Sequence, residues 1–222
     1  MSLIVDHLEK YRPGFVIRAN FQVSPGEILA LKGRSGCGKT TILRMLAGFE
    51  TTDKGSIFLG ERNLTRLPPE KRKLGVVPQN PSLFLHLDMT DNVTFGLKAR
   101  GLNRTDREKI ADDLLRAVNL QHLKTSAAAN LSGGEQRRIA LLRAIAWKPQ
   151  ALLLDEPFAG LDSISKVAMK QETSRFISDL KIPCLIITHD EQDLENLEAR
   201  TIEVREDASQ QTRIFESPII TG

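Results

Sequence analysis

Apolar residues in this chain follow two kinds of pattern, continuous runs and helical spacing, which succeed each other along the sequence. The runs at 28–32, 151–154 and 184–188 are apolar almost throughout, which is typical of strands covered on both faces. Residues 40–47 instead place apolar side chains at helical spacing, directly after the first of these strands. Because strand, loop and helix recur in this order, the sequence predicts an α/β sheet protein.

Helical patterns dominate from residue 81 to residue 146. Within this segment Thr105 and Glu108 have the spacing of a capping box. The box precedes apolar residues that share one helical face: Ile110, Leu114, Leu115 and Val118. A later pattern predicts one amphipathic helix between the last two apolar runs, with apolar positions at Ile164, Val167, Ala168, Phe176 and Leu180.

The whole chain, 1–222, is predicted to form one domain. Its length suits one full-sized core and is short for two. We expect a core at about 1–80 and 147–222, interrupted by a helical insertion of about 60 residues at about 81–146.

Composition and charge argue against several classes of protein. The net charge is only +3 and the basic residues are scattered, so no nucleic-acid partner is expected. The densest basic run, Lys71-Arg72-Lys73, is typical of a solvated loop. No apolar run approaches the roughly 20 residues of a membrane span, and the first residues lack a signal-peptide pattern. Cys37 and Cys184 make no disulfide framework, which favours a reducing cytoplasm.

The segment GRSGCGKT, residues 33–40, fits the pattern of a phosphate-binding P-loop. Its glycines let backbone N–H groups point at phosphate oxygens, Lys39 reaches the β- and γ-phosphates, and the Thr40 hydroxyl ligates Mg²⁺. The alternative is a plain glycine-rich turn, which the strand before and the helix after disfavour. Cys37 is expected to be a small loop filler whose thiol makes the site sensitive to alkylation. The residues expected to cradle the phosphates are Gly33, Arg34, Ser35, Gly36, Cys37, Gly38, Lys39, Thr40 and Thr41.

Two carboxylates follow the apolar run at 151–154, in the segment ALLLDEP. Ligands of open parallel sheets bind at the carboxyl ends of strands, so Asp155 is placed to hold Mg²⁺. Glu156 is then free to orient or deprotonate an attacking water. A P-loop alone leaves kinases, GTPases and motor ATPases open, but the absence of an Asn-Lys-x-Asp motif argues against a GTPase.

A second anion cradle is indicated by LSGGEQRR, residues 131–138. A serine and two glycines at the start of a helix expose free N–H groups and the positive end of the helix dipole. With the P-loop, the LLLDEP run, Gln79 and the Thr188-His189-Asp190 segment, this motif resembles the nucleotide-binding subunit of ABC transporters. The resemblance covers at least residues 3–200 with every element in order.

The resemblance implies a P-loop NTPase fold with a mainly parallel core sheet, an N-terminal antiparallel β element and the inserted helical subdomain. It also implies that two subunits face each other head to tail. Each ATP then lies between the P-loop of one subunit and Ser132, Gly133 and Gly134 of the other. The two cradles of one chain therefore serve different ATP molecules. ATP binding closes the dimer and hydrolysis reopens it.

Other site residues are implied by matching positions. Gln79 matches the glutamine that contacts Mg²⁺ and the attacking water, and His189 matches the histidine at the γ-phosphate; without the family, His189 would be an ordinary surface residue. Asp162 matches the loop that crosses the dimer interface, although Gly160 replaces the Ser or Asn usual before Leu-Asp.

An aromatic residue that stacks on adenine is also implied by the resemblance. Tyr11 lies 22 residues before Gly33 and is the preferred candidate, with Phe15 as its competitor. The cofactors implied are ATP and Mg²⁺. The catalytic residues implied are Glu156, His189, Gln79 and Lys39, and the metal ligands implied are Thr40, Gln79 and Asp155.

The sequence of residues 68–101 resembles the ATP-binding subunits of importers for polyamines, iron, sulfate, molybdate, thiamine or sugars. In these systems the segment matching 80–87 docks a helix of the membrane subunit, which suits Leu83, Phe84 and Leu85 unless they belong to the core. The partners implied are transmembrane permease subunits, an identical or paralogous ATPase subunit and, indirectly, a solute-binding protein. The location implied is the cytoplasmic face of the membrane. The transported substrate is not encoded in this chain.

The end of the chain departs from this subgroup. Too few residues follow His189 for the β-rich regulatory domain that many of these importers carry, so no such domain is expected. Residues 201–222 also diverge from the usual glycine-containing hairpin. We expect an ATP-hydrolysing subunit that drives solute transport, with import favoured. The alternative is a soluble ABC-type ATPase clamp acting on nucleic acid or ribosomes, which the lack of a strong basic face disfavours.

Overall fold

The structure, a computed structural model, is built around a five-stranded parallel sheet and a second, six-stranded sheet. It describes residues 1–81 and 83–217; residue 82, in the predicted docking segment, and residues 218–222, in the predicted divergent tail, lie outside the described residues. The strands are β1 (Leu3–Arg12), β2 (Phe15–Val23), β3 (Ile28–Lys32), β4 (Lys54–Leu59), β5 (Arg62–Asn63), β6 (Leu74–Val77), β7 (Ala151–Asp155), β8 (Cys184–Thr188), β9 (Ala199–Glu203), β10 (Arg205–Asp207) and β11 (Thr212–Glu216). The helices are α1 (Lys39–Ala47), α2 (Met89–Val93), α3 (Phe95–Lys98), α4 (Arg104–Ala117), α5 (Gly133–Ile145) and α6 (Ser163–Leu180), and 3₁₀ turns lie at Pro69–Lys71, Gln121–Leu123, Ala128–Asn130 and Glu191–Asp193.

The central sheet has the order β6-β7-β8-β3-β9, and all its neighbouring strands are parallel. Its strands are apolar throughout because alternate residues enter two different cores. In β7, Leu152 and Leu154 join the core formed with α5 and α6, whereas Ala151 and Leu153 join the core formed with α1 and the second sheet. The predicted apolar runs are therefore strands covered on both faces, and the α/β fold class is confirmed.

The second sheet has the order β10-β11-β2-β1-β4-β5. β1 pairs antiparallel with both β2 and β4, which is the N-terminal antiparallel element that the family resemblance implies. β11, from the far end of the chain, pairs parallel with β2. The last strands of the chain therefore complete a sheet that the first strands begin.

Four of the six helices of the described chain, α2 to α5, lie between residues 89 and 145. Their buried residues, such as Leu115 and Ile139, belong to the same core cluster as Leu152 of the central sheet. The helical segment thus packs on the sheet rather than around a core of its own, and its limits at 81 and 146 stay a prediction. Within the described chain, none of the helices combines the length and apolarity that crossing a bilayer requires.

The capping box predicted at Thr105 and Glu108 is wrong. α4 begins after Asn103, whose side-chain oxygen accepts a hydrogen bond from the Asp106 amide at 2.9 Å. Thr105 lies inside the first turn, and Glu108 pairs with Arg104 at 2.7 Å. Asparagine is at least as good an N-cap as threonine, so the local pattern contained two candidate caps and the stronger one forms.

The predicted apolar face of α4 is present, with Leu115 and Val118 fully buried. In α6, Phe176 is buried as predicted, but Ile164 is 83% exposed and Val167 is 53% exposed. Charged residues of α6 take the inward positions instead. Lys170 donates to the Glu195 carbonyl at 3.0 Å, and Glu172 forms an ion pair with Arg138. The inward positions of α6 thus include charged residues with partners, and its first apolar residues, Ile164 and Val167, face outward.

The segment expected to dock a membrane subunit is mixed in character. Leu83 is 7% exposed and belongs to the core, whereas Leu85 is 65% exposed. Phe84 is half-buried, and the Arg143 guanidinium lies 5.3 Å from its ring centroid. Within residues 80–87, Leu83 therefore fits the interpretation as core and Leu85 fits the interpretation as exposed surface.

The tail forms a hairpin despite its divergent sequence. β10 and β11 pair antiparallel, and the Asp207 carboxylate accepts hydrogen bonds from the Ser209 and Gln210 amides in the turn. Gln211 takes a φ of 48°, the left-handed conformation for which glycine is usually required. A polar turn therefore replaces the expected glycine turn.

The basic run at 71–73 is not a uniformly solvated loop, because Arg72 is only 2% exposed. Its guanidinium donates to the carbonyls of Met45 and Leu46, at 2.6 and 2.8 Å, where α1 ends. It also donates to the carbonyls of Leu67 and Thr65 at 2.7 and 3.1 Å. A cation at a helix carboxyl end interacts favourably with the dipole and satisfies orphan carbonyls.

We expect Arg72→Ala to lower the free energy of unfolding by about 2–4 kcal/mol, because four carbonyls lose a charged donor and two of these bonds are fully buried. Urea titration followed by circular dichroism measures the loss. Lys71→Ala is the matched control, since the Lys71 side chain is exposed. Equal midpoints for the two variants would contradict this role of Arg72.

Candidate functional site

The P-loop connects β3 to α1 and presents its backbone N–H groups. Gly38 is the N-cap of α1, and no side chain caps the amides of the first turn. Its φ is +106°, and a Cβ at this position would lie 2.6 Å from the Ile17 side chain. Only glycine fits here, so the loop can turn sharply and leave its amides available to an anion.

Lys39 folds back over the loop and is 5% exposed. Its Nζ donates to the carbonyl oxygens of Gly33 at 2.5 Å and Arg34 at 3.1 Å. These carbonyls hold the ammonium group at the centre of the loop. Arg34 and Ser35 themselves are exposed, and the Thr41 hydroxyl accepts a hydrogen bond from Arg12 at 3.4 Å.

Two of the three predicted Mg²⁺ ligands, Thr40 and Asp155, are in contact, whereas the third, Gln79, donates to Glu156. The Thr40 hydroxyl donates to Asp155 Oδ1 at 3.5 Å. Burial and, next, the charge of Glu156 raise the pKa of Asp155, whereas Thr40 and Lys39 oppose the rise. A hydroxyl and a carboxylate oxygen form the hard donor set that Mg²⁺ prefers, and Mg²⁺ commonly needs only one or two carboxylates beside substrate phosphates. These residues fit Mg²⁺, although the described residues contain no cluster of three or more His, Cys, Asp or Glu suited to a metal.

Glu156, Gln79 and His189 form one hydrogen-bonded cluster. Gln79 Nε2 donates to Glu156 Oε2 at 2.6 Å, and His189 Nδ1 lies 2.9 Å from Glu156 Oε1. Glu156 takes a φ of 46°, an uncommon conformation for a residue with a side chain. The carboxylate is thereby held between two polar partners, which follow the ends of β6 and β8.

These groups share one cavity of about 390 Å³, which is within the usual range of small-molecule sites. Both the P-loop and the Gln79–Glu156–His189 cluster line this cavity. Its lining residues are Phe15, Ser35, Gly36, Gly38, Lys39, Thr40, Thr41, Gln79, Glu156 and His189.

A larger cavity of about 790 Å³ lies beside β4, away from this cluster. Its Asp53 already accepts hydrogen bonds from Lys10 at 3.1 Å and from the Tyr11 amide at 2.8 Å. The Asp53 carboxylate in the larger cavity is thus already engaged, whereas the smaller cavity joins the P-loop to the glutamate cluster and remains the candidate site.

The two aromatic candidates for the adenine platform separate in the structure. Phe15 lines the cavity, whereas Tyr11 is not among its lining residues. The Tyr11 hydroxyl donates to Glu9 at 3.0 Å, and Lys54 Nζ lies 5.6 Å from the Tyr11 ring centroid. Of these two candidates Phe15 alone reaches the cavity wall, and the residue that stacks on adenine stays a prediction.

The second predicted cradle, at the start of α5, lies apart from the lining of this cavity. Ser132 is the N-cap and forms a capping box with Glu135. Hydrogen bonds from the Ser132 hydroxyl and amide, at 2.7 and 2.8 Å, lower the pKa of Glu135. A Cβ on Gly133 would meet nothing within 4 Å, whereas one on Gly134 would approach Ser165 Oγ at 3.1 Å. The two segments predicted to cradle anions therefore lie at separate places in the described chain.

Asp162 caps α6 and also lies outside the cavity lining. Its carboxylate accepts from the amides of Ile164 and Ser165, both at 3.0 Å. Hydrogen bonds, chiefly from Ser165, lower the pKa of Asp162. Gly160 has a φ of +69°, which suits a residue without a side chain better than the usual Ser or Asn.

Two arginines that no sequence pattern indicated also contact the site. Arg137, on α5, donates to the Gln79 carbonyl at 3.4 Å. Arg213, on β11, donates to the Gly36 carbonyl. Neither belongs to the motif positions used above, and each reaches its partner only through the fold.

The fold and the cavity define a P-loop nucleotide-binding protein of the ABC type. The family model described as "ABC transporter" matches residues 16–159, which is more than half of the chain. The chain belongs to the ABC transporter family.

Relatives that the chain matches include proteins named import ATP-binding proteins. It is 38% identical over 203 residues to the spermidine/putrescine protein PotA of Marinobacter nauticus, covering 90% of this chain and 54% of that protein. It is 38% identical over 195 residues to the sulfate/thiosulfate protein CysA of Nephroselmis olivacea, covering 87% and 57%. It is 37% identical over 186 residues to the Fe(3+) ions protein FbpC of Fusobacterium nucleatum, covering 83% and 50%. The chain spans about half the length of these curated relatives.

Cys37 is less available than its place in the loop suggested, because it is 2% exposed and belongs to the core beneath the P-loop. Cys184 is fully buried, and burial raises its pKa far above the usual value. Neither thiol lies in the open part of the cavity. The expectation of ready alkylation does not fit this arrangement.

We expect both thiols to react slowly with a disulfide reagent in the folded protein, at least about 100-fold slower than after unfolding in guanidinium chloride. Release of thionitrobenzoate, followed by absorbance, measures both rates. The variants Cys37→Ser and Cys184→Ser show which thiol gives rise to each kinetic phase of the reaction. A rapid phase in the folded protein that Cys37→Ser removes would show that the loop thiol is exposed.

Proposed function

We propose that this chain is the ATP-hydrolysing subunit of an ABC importer and that it works as a dimer around two ATP molecules. The observation that carries the proposal is the shared cavity of the P-loop and the Gln79–Glu156–His189 cluster. A phosphate cradle with a held carboxylate beside it suits hydrolysis of a nucleoside triphosphate.

The phosphates are held by Lys39 and by the loop amides that precede and begin α1. Lys39 exchanges the carbonyls of Gly33 and Arg34 for phosphate oxygens, which are stronger acceptors for its charge. Thr40, Asp155 and Gln79 would hold Mg²⁺, which would neutralise part of the phosphate charge. Phe15 offers its ring to the adenine base, since it lies on the cavity wall.

Glu156 takes the proton of the attacking water. Its carboxylate is 13% exposed, and each of its oxygens already has one partner, Gln79 on one side and His189 on the other. These two partners fix the direction of the remaining lone pairs. A base that is aligned in advance needs little reorganisation in the transition state.

The dimer is supported by the separation of the two cradles. Ser132, Gly133 and Gly134 do not line the cavity of their own chain, yet the amides at the start of α5 suit an anion. In a head-to-tail dimer these amides meet the γ-phosphate bound by the partner, and Asp162 lies at the interface. ATP then joins the subunits, and hydrolysis releases them.

Import is supported by the names of the three relatives given above, each of which is called an import ATP-binding protein. The partners proposed are permease subunits in the membrane, docked in part by the exposed Leu85, and indirectly a solute-binding protein. The subunit then lies at the cytoplasmic face of the membrane. The names of the relatives include a polyamine, an oxyanion and a metal ion, so the substrate is left open.

Glu156→Gln is expected to lower ATP turnover by about 10²- to 10⁴-fold, because the amide cannot accept the proton of water. Binding of ATP should be retained, since the amide keeps the size of the side chain. Its oxygen can still accept from Gln79, and its NH2 group can donate to His189 Nδ1 in the tautomer that leaves this nitrogen unprotonated. Phosphate release measures turnover, and calorimetry measures binding. The control is Glu198→Gln, which changes an exposed glutamate. Turnover at the wild-type rate in Glu156→Gln would exclude Glu156 as the base.

A mixture of Lys39→Ala and Ser132→Arg chains tests the shared site. Each variant alone should be inactive, because every site of its homodimer lacks one cradle. Half of the dimers in an equal mixture are mixed dimers, each with one intact site, so activity should return to about a quarter of the wild-type value.

Phosphate release from the mixture, measured after the dimers have exchanged, is the readout. Two further mixtures serve as the control for which chain supplies the base. Ser132→Arg mixed with Glu156→Gln/Lys39→Ala should remain active, because the chain with the intact P-loop keeps Glu156. Lys39→Ala mixed with Glu156→Gln/Ser132→Arg should be inactive. Activity of the Ser132→Arg chain alone, or no recovery in the mixture, would contradict a site made by two chains.

A further inference from the structure

The C-terminal hairpin lies directly beside the P-loop cavity. β11 pairs parallel with β2, and Arg213 lies opposite Ile17. The Val16 amide also donates to the Gln211 carbonyl at 2.8 Å. This register brings Arg213 next to the start of β2, where Phe15 lines the cavity.

Arg213 contacts two residues of the cavity wall. Its guanidinium carbon lies 3.9 Å from the Phe15 ring centroid, and its Nη1 donates to the Gly36 carbonyl. Its side chain is 26% exposed, and Glu206 lies at the edge of ion-pair distance, 4.0 Å from Nε. Arg213 itself is not among the lining residues, so it supports the wall from outside the cavity.

This geometry suits an arginine for a physical reason. A planar guanidinium can stack on an aromatic face and still donate hydrogen bonds in its own plane. The carbonyl of Gly36 anchors the guanidinium, and the guanidinium then covers the Phe15 ring. A half-buried phenylalanine that is held in this way loses little rotational freedom when a base stacks on it.

We propose that Arg213 is a positioning residue for the nucleotide base: it holds Phe15 as the platform on which adenine stacks. The role rests on the proposed function, in which the cavity takes ATP. It gives the divergent hairpin a part in nucleotide affinity. The phosphates are held by the P-loop amides and Lys39, so Arg213 acts on the base and not on the chemical step.

The test compares a ligand with a base and a ligand without one, by calorimetry on the full chain. Arg213→Ala should weaken binding of the non-hydrolysable analogue AMP-PNP about three- to tenfold, the range expected for a lost cation–π contact. Binding of inorganic tripolyphosphate should stay within about twofold of wild type. In steady-state assays the KM for ATP should rise by the same factor as the AMP-PNP Kd, with kcat unchanged.

Two further variants keep the proposal falsifiable if Arg213→Ala loses stability. Arg213→Gln retains a donor for Gly36 but removes the charge, and it should weaken AMP-PNP binding as much as Arg213→Ala does. In a Phe15→Leu background, Arg213→Ala should have no further effect, because the platform is already absent. Arg205→Ala is the matched control, since Arg205 lies on the other strand of the same hairpin and is 71% exposed.

The outcomes distinguish a failure of the proposed function from a failure of the role of Arg213. If the wild-type chain binds neither AMP-PNP nor tripolyphosphate, the proposed function fails. If wild type binds both and Arg213→Ala binds AMP-PNP equally well, only the role of Arg213 fails. An equal loss for both ligands, or a loss that persists in Phe15→Leu, would likewise overturn the assignment to the base.

Discussion

The carboxyl edge of the central sheet is the constraint on which the candidate site depends. β6, β7, β8 and β3 are adjacent and parallel, so all four end at the same edge. Gln79, Asp155 with Glu156, His189 and the P-loop lie at or just after these ends. Because both faces of the sheet are buried, shifting a strand by one residue would exchange its side chains between the two cores. Packing therefore sets the register that brings the site residues together.

Arginines connect this sheet to segments that are distant along the chain. Arg72 holds the carbonyls at the end of α1, Arg137 reaches the Gln79 carbonyl, and Arg213 reaches the Gly36 carbonyl. Each uses main-chain oxygens as acceptors and leaves the functional carboxylates to other partners. A guanidinium suits this role because its donors lie in a rigid fork that can satisfy several carbonyls at once.

The site also contains backbone conformations that only the surrounding structure can maintain. Gly38 and Glu156 both have positive φ angles, and for a residue with a side chain this costs of order 1–3 kcal/mol. The Glu156 amide donates to the Ile187 carbonyl at 2.9 Å, and its carboxylate is held by Gln79 and His189. The strained residue is thus fixed at both ends, which directs its carboxylate into the cavity.

The sequence by itself determined the parts that depend on short spacing. The strands at 28–32 and 184–188, the P-loop and the Ser132 helix start follow from residues within a few positions of each other, because turns, caps and phosphate cradles are local. Tertiary structure decided the rest. Three features depend on long-range partners: Phe15 rather than Tyr11 lies on the cavity wall, Arg72 is buried, and Ile164 faces outward. Such partners compete through packing and charge, which no local pattern records.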